Sequence, residues 1–384
     1  MNVRPLKHSK SSWVDEIGQV ITIYPINRTF IQLYWREEHR AVTSGYNVEK
    51  SVEHRGECRT ELLTGNVERC TLARKGPHMG KVIVFGSLNM DISIEADKMP
   101  QQGETIGGKN LVTSPGGKGA NQAVAAARMG ADVYMIGAVG ADTFGQDLKQ
   151  SLIGYGVNAE QVDELSGVST GVAVIVRVGG DNRIILDHGA NHARTADDVK
   201  AVLDRIAKPS DVFLTQFECE LSTTFELIKY AHDLGLYTMV NPSPAATMTT
   251  GLLASVDVLC LKEIEFADLF GEGKISPLAD PEAAVQKVLA SGVATAVLTL
   301  GSKGSIAADS HGVYQQECYR VDTVDTTCAG DTFMGTLAAF QASGQLQGHD
   351  IKQVLDVAAK AAALATTKVG AQQSIPTYQQ VIEF

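Results

Sequence analysis

The sequence has no apolar run approaching the roughly 20 residues that a membrane-spanning helix requires, which excludes a transmembrane helix. Basic residues are not in excess: 33 Lys and Arg stand against 44 Asp and Glu, for a net charge of −11. That balance argues against a nucleic-acid partner, whose binders carry a basic face, but leaves room for a local basic pocket. Cysteine is sparse, with six residues at positions 58, 70, 219, 260, 318 and 328. None form C-x-x-C or lie at zinc spacing from histidine, so neither a disulfide framework nor a structural zinc site is expected. Free thiols in a reducing cytoplasm are the reading. Residues 1–12 lack the apolar core of a signal peptide, which supports the same cytoplasmic expectation. A Walker A loop, internal repeats and low-complexity tracts are also missing.

What is present is an ordinary globular balance of 44% hydrophobic and 20% charged residues over 384 positions. A chain of this length buries a large core without disulfides or metals. Residues 1–78 differ from the rest: both tryptophans, Trp13 and Trp35, fall here, periodicity is weak, and Val20–Tyr24 is the one strand candidate. Met79-Gly80 then leads directly into the apolar run Lys81–Gly86, a pattern that resembles a protein start. An over-extended reading frame beginning truly at Met79 is favoured over an appended segment of unknown role.

From residue 79 short apolar strands alternate with helical patterns, the βαβ signature of a parallel sheet. Strands are expected at 81–86, 132–137, 211–215, 236–240, 256–261 and 295–300. Helices are expected at 119–129, 143–155, 195–207, 221–234, 281–291, 330–344 and 350–367. Residues 91–115 and 170–189 break the alternation and read as β-hairpins, a candidate flap over the ligand edge.

Four segments carry chemistry. In Val324–Phe333 a strand-like stretch ends and an Ala-rich helix begins near Gly330. The backbone N–H groups of Ala329, Gly330 and Asp331 would face outward there, as a receptor for phosphate oxygens. Asp331 beside them is placed to accept a proton from an attacking alcohol, although an aspartate in a first helical turn also serves as a cap. Gly116-Gly117-Lys118-Gly119-Ala120-Asn121-Gln122 opens the 119–129 helix, with Lys118 and Asn121 as donors for hydroxyls. Asn89-Met90-Asp91 follows the first strand, at the edge where open α/β sheets bind ligands. Asn89 and Asp91 could hold two sugar hydroxyls or simply form an Asx turn. Thr299-Leu300-Gly301-Ser302-Lys303-Gly304 suits a nucleotide edge, and a plain β-turn reads nearly as well.

Together these segments resemble the ribokinase (PfkB) family of carbohydrate kinases, with the runs 116–123 and 329–333 matching its two signatures over residues 79–384. The resemblance implies a three-layer αβα sandwich with a mostly parallel central sheet and a small β-sheet lid. It implies that Asp331 is the base for ATP-dependent phosphorylation of D-ribose at its 5-hydroxyl. Asn89, Met90, Asp91, Gly117, Lys118, Gly119, Ala120, Asn121 and Glu218 fall at sugar-binding positions. Lys262, Thr299, Leu300, Gly301, Ser302, Lys303, Gly304, Gly330, Asp331 and Lys360 fall at ATP positions. The resemblance also implies Mg²⁺ with ATP, supported by Glu265. A K⁺ site is implied at Asp325, Thr327, Ala365, Lys368, Gly370 and Ser374, and a homodimer through interlocked lids.

Three departures stand out. Lys262 takes the place of the asparagine in the family's N-x-x-E motif, Met334 takes that of an asparagine, and Cys328 that of an alanine or glycine. A backbone N–H is all that Cys328 would contribute, and its thiol is open to oxidation on this reading. A kinase for 2-deoxyribose, another pentose, a ketohexose or a nucleoside is the alternative. A catalytically weakened sugar-binding protein, motivated by Lys262, is the second.

Overall fold

The computed structural model describes residues 80–384 apart from 180, 271–274 and 345–350, together with five strands nearer the N-terminus. The chain divides into two compact units, Met1–Lys75 and Gly76–Phe384. In the first, β1 (Ser11–Val14), β2 (Val20–Ile26) and β3 (Phe30–Arg36) form an antiparallel sheet, and β4 (Glu49–Glu53) pairs with β5 (Glu57–Glu61).

The second unit is built on a nine-stranded sheet. Seven of its strands are parallel: β6 (Val82–Phe85), β9 (Val133–Gly140), β10 (Asn158–Leu165), β13 (Val212–Gln216), β14 (Tyr237–Asn241), β15 (Val258–Lys262) and β16 (Thr295–Thr299). β17 (Ser305–Asp309) and β18 (Gly312–Gln316) continue it antiparallel, in the order β10-β9-β6-β13-β14-β15-β16-β17-β18. Alternation along the strands feeds two cores. Val82 and Val84 of β6 join one with Val212, Leu214, Val258 and Cys260; Ile83 and Phe85 join the other with Phe213, Leu259 and Leu261. Burial on both faces is what makes these strands read as continuous apolar runs. Each fully buried large side chain, Phe85 and Phe213 among them, contributes about 1.5–3 kcal/mol.

The first face is covered by α1 (Lys118–Arg128), α2 (Thr143–Gly154), α8 (Ala329–Ala342) and α9 (Ile351–Ala365), and the second by α3 (Ala196–Ile206), α4 (Leu221–Asp233), the short α5 (Thr250–Leu253), α6 (Glu263–Phe270) and α7 (Pro281–Leu289). Their starts are legible: Asp142 caps α2, Thr195 and Asp198 form a capping box on α3, and Asp280 caps α7. The three-layer sandwich expected from the sequence is present.

The two hairpins form a separate four-stranded sheet. β7 (Asn89–Glu95) pairs antiparallel with β8 (Lys109–Gly116), and β11 (Gly171–Val178) with β12 (Asp181–Asp187). A parallel β7–β11 pairing joins them. β10, β17 and β18 were not expected from sequence. β10 (NAEQVDEL) is a mostly polar edge strand, and β18 is a short partly buried one, so neither shows an apolar run.

Candidate active site

The parallel strands all deliver their carboxyl ends to one edge, which explains why residues far apart in sequence converge there. The turn after β6 carries Ser87 and leads to Asn89 at the start of β7, Glu218 follows β13, β14 ends at Asn241, and β15 ends at Lys262. Glycine makes the closest approach possible. Gly117 has φ 90°, and a Cβ there would lie 2.6 Å from the Asn89 nitrogen and 2.8 Å from the Ser87 carbonyl oxygen. A Cβ on Gly119 would lie 2.5 Å from the Gly86 carbonyl carbon.

Glu218, 9% exposed, gathers donors on one oxygen. Its Oε2 accepts from Ser87 Oγ at 2.6 Å, from Asn89 Nδ2 at 3.3 Å and from the Lys118 backbone N–H at 3.3 Å. The Lys118 ammonium lies 3.9 Å from its other oxygen. Burial pulls the Lys118 ammonium down, but Asp331, Glu218 and Glu265 outweigh it and hold its pKa above the ordinary value. Asp91 responds oppositely. Burial, then repulsion from Glu218 and Asp331, pushes its carboxyl up to about 7 against the pull of Lys118.

Asp331 stands in the first turn of α8. Asn121 Nδ2 donates to its Oδ2 at 3.0 Å and Gln122 Nε2 to its Oδ1 at 3.0 Å. Gln122 is itself fixed, donating to Asn241 Oδ1 at 3.2 Å and accepting from Gln216 Nε2 at 2.7 Å. Asn121 Oδ1 is buried without a hydrogen-bond partner, an acceptor ready for a ligand donor. First-turn N–H groups of a helix lack intrahelical acceptors, and those of Gly330 and Asp331 stand at the start of α8. The Ala329 N–H leans toward the Thr326 carbonyl at 3.4 Å, which weakens it as a third donor.

Lys262 Nζ lies 3.9 Å, and its Cε 3.3 Å, from the place a Cβ on Gly330 would occupy, so this ammonium hangs over the same helix start. Its backbone N–H donates to Glu265 Oε2 at 2.7 Å. Cys328 caps α8 in the left-handed conformation, φ 66°. The sequence suggested an oxidisable thiol, and the structure corrects this. Burial, then the Asp331 charge, pushes the Cys328 thiol well above its ordinary pKa, and a protonated thiol is a poor target for oxidants. Cys219 and Cys260 are likewise buried, unpaired thiols, and Cys318 is unpaired and exposed. Met334 is 1% exposed and packs in the core, a structural role.

Among the remaining expected residues, Met90 and Ala120 also face the core, so only their backbones border the site. The Thr299–Gly304 loop turns through Gly301 (φ 57°) and Gly304 (φ 89°), with Leu300 N–H donating to the Gly304 carbonyl at 2.8 Å. Lys303 reaches the Leu278 carbonyl at 2.9 Å. Lys360 is engaged by Asp356 at 3.2 Å and lies 5.4 Å from the Tyr319 ring centre.

Of the expected cation-site residues, Asp325 and Thr327 lie in the segment before α8, Ala365 ends α9, and Lys368, Gly370 and Ser374 follow it. Val324 and Asp325 N–H both donate to the Thr366 carbonyl, and Gly370 N–H donates to Asp325 Oδ2 at 3.0 Å. Burial alone would raise the Asp325 pKa, but the Thr327 hydroxyl and the Gly370 and Thr327 N–H groups reverse that and lower it. Ser374 Oγ donates to the Ala371 carbonyl at 2.7 Å.

A helix start carrying Asp331, a polar pocket at four strand ends, and a second, smaller sheet leading out of that pocket form one constellation. The family model for pfkB family carbohydrate kinases matches residues 79–378. The chain belongs to that family. It is an enzyme, a kinase. The ribokinase of Schizosaccharomyces pombe is 38% identical over 315 residues, covering 79% of this chain and 97% of the relative. A deoxyribokinase of Salmonella typhi is 29% identical over 305 residues, covering 79% and 98%. The structure of Arabidopsis thaliana ribokinase complexed with ribose and ATP is 31% identical, with TM-score 0.70, covering 79% of this chain and 98% of that one. Members of the family phosphorylate carbohydrates. Residues before 79 lie outside the match.

Sequence reading missed Ser87, Gln122, Gln216 and Asn241 as site residues, and Asn191 behind them. Gln122 was within reach, since it directly follows Asn121 in the glycine-rich run.

Proposed function

We propose that this kinase transfers the γ-phosphoryl group of ATP to the 5-hydroxyl of D-ribose, giving D-ribose 5-phosphate and ADP. Asp331 accepts the hydroxyl proton as the new O–P bond forms and the bond to ADP breaks. The observation that carries this is the Asp331 carboxylate, clamped by the Asn121 and Gln122 amides at the start of α8. Gly330 and Asp331 N–H groups then meet the charge developing on the transferred phosphoryl group. Asn89, Asp91, Lys118, Asn121 and Glu218 supply the donors and acceptors for sugar hydroxyls. Lys262 and the Thr299–Gly304 loop line the nucleotide side, and the Lys360 stem is an edge for adenine.

Mg²⁺ with ATP fits a site where the Glu265 carboxylate, 6% exposed, accepts the Lys262 N–H at 2.7 Å on one of its two oxygens. Such an ion supplies charge neutralisation on the phosphates. The Asp325, Thr327, Ala365, Lys368, Gly370 and Ser374 set, a lowered-pKa carboxylate among carbonyls and hydroxyls, suits a hard monovalent cation such as K⁺. Such a cation would stiffen the loop leading into α8. Leu111, Val112, Val174, Ile184 and Ile185 are exposed on the lid sheet, which supports a homodimer through the lid. The unpaired thiols support a cytoplasmic setting.

Phosphorylation of 2-deoxyribose is the second reading, favoured by the likeness to a deoxyribokinase. An ADP-release assay on the full chain, with ATP, Mg²⁺ and K⁺, tests both against D-ribose, 2-deoxyribose, fructose and adenosine. The proposal expects ribose far above the rest. Preference for 2-deoxyribose would replace it with the second reading, and silence with every sugar would refute both.

A further inference from the structure

Asn191 lies in the short turn Gly189–His192 that follows lid strand β12, and it is 3% exposed. Its side chain reaches back to the strand end that carries the sugar pocket. The Leu88 backbone N–H donates to Asn191 Oδ1 at 2.9 Å, and Asn191 Nδ2 donates to the Leu88 carbonyl at 3.1 Å. Backbone groups have one sense each, so this pair fixes which end of the Asn191 amide points where. The same Nδ2 donates to Asn89 Oδ1 at 2.7 Å. Asn89 is thereby turned with its own Nδ2 toward Glu218 Oε2 and the pocket. A relay of fixed sense runs from Leu88 through Asn191 and Asn89 to Glu218.

We propose that Asn191 is a positioning residue that sets the sense of the Asn89 amide, so that Asn89 meets the sugar as a hydrogen-bond donor. Sugar affinity is thereby tied to the seating of the lid's second hairpin. This rests on the sugar-kinase reading. The fit is tight on both sides of the contact. A Cβ on Gly171, the first residue of β11, would lie 2.3 Å from Asn191 Nδ2 and 2.3 Å from Asn89 Oδ1. His188, in the residue before the turn, has its ring Nδ1 3.2 Å from the Glu218 carbonyl oxygen, so the turn touches the pocket at a second point.

Asn191→Asp preserves shape but replaces the donor with an acceptor facing Asn89 Oδ1 and the Leu88 carbonyl. Asn89 must then flip, setting its oxygen against the Glu218 carboxylate. In the full-length enzyme, ribose Kd by calorimetry should rise about tenfold or more, while ATP Kd stays within about twofold. On an Asn89→Ala background the same change should add nothing to the sugar Kd, because the group it acts through is gone. An equal loss in both backgrounds, or matched losses for sugar and ATP, would show a merely structural role and overturn the proposal. Should Asn191→Asp not fold, Gly171→Ala presses on the same pair from the other side and must show the same dependence on Asn89; unchanged sugar affinity there overturns the proposal. A parent enzyme that binds no sugar overturns the sugar-kinase reading and this proposal together. Parent binding with an indifferent Asn191→Asp overturns this proposal alone.

Discussion

Asp91 sits unfavourably in the unliganded pocket, and the cost can be measured. Its carboxylate has no hydrogen bond from any other described residue, and burial with Glu218 and Asp331 nearby raises its pKa from 3.8 to about 7. The native state therefore holds this proton up to about pH 7, while the unfolded chain releases it near 3.8. Between those values the native state binds more protons, so stability falls as pH rises and levels off above 7. At about 1.4 kcal/mol per unit, the ionisable group costs the fold about 2 kcal/mol at pH 5 and about 4 kcal/mol at pH 8. Asp91→Asn removes the titration. Urea unfolding of parent and variant should show the variant more stable, with an advantage about two to three times as large at pH 8 as at pH 5. Sugar affinity should move the other way. The ionised carboxylate is the better acceptor for hydroxyls, so ribose Kd in the parent should rise about tenfold from pH 8 to pH 6, with the variant weak and flat. A variant no more stable than the parent at pH 8, or an advantage that shrinks as pH rises, would refute the reasoning.

Other perturbations test separate parts of the site. Lys262→Asn removes an ammonium lying over Gly330; if that charge neutralises phosphate, KM for ATP should rise several-fold in steady-state kinetics, and an unchanged or improved KM would mean the lysine is only tolerated. Replacing K⁺ with a large organic cation should depress the rate at fixed Mg²⁺ and ATP, and an indifferent enzyme would contradict the cation site. Gly117→Ala drives a Cβ into three backbone atoms at a positive φ, so unfolding experiments should show a loss of about 2 kcal/mol or more.

Much of this was legible in the sequence because the signals were local. The strands of the parallel sheet announced themselves as apolar runs, since both of their faces are buried. The glycine-rich run and the Ala329–Phe333 run each place backbone and side chain within a single strand–turn–helix connection. What the sequence hid depends on partners far along the chain. Asn191 is held by the backbone of Leu88, 103 residues away, and an asparagine after a hairpin reads as an ordinary turn residue. The reactivity of Cys328 was misread because exposure, not residue type, decides it. Lys262 read as a departure, and its position over the start of α8 became visible only once β15 and α8 were set side by side.

The most direct test of the account is the product made by the full-length enzyme from D-ribose, ATP, Mg²⁺ and K⁺, read by phosphorus NMR in parallel with Asp331→Ala. The account predicts ribose 5-phosphate from the parent and none from the variant, which should still bind ATP. Ribose 5-phosphate formed by Asp331→Ala at the parent's rate, or no sugar phosphate from a folded, ATP-binding parent, would contradict it.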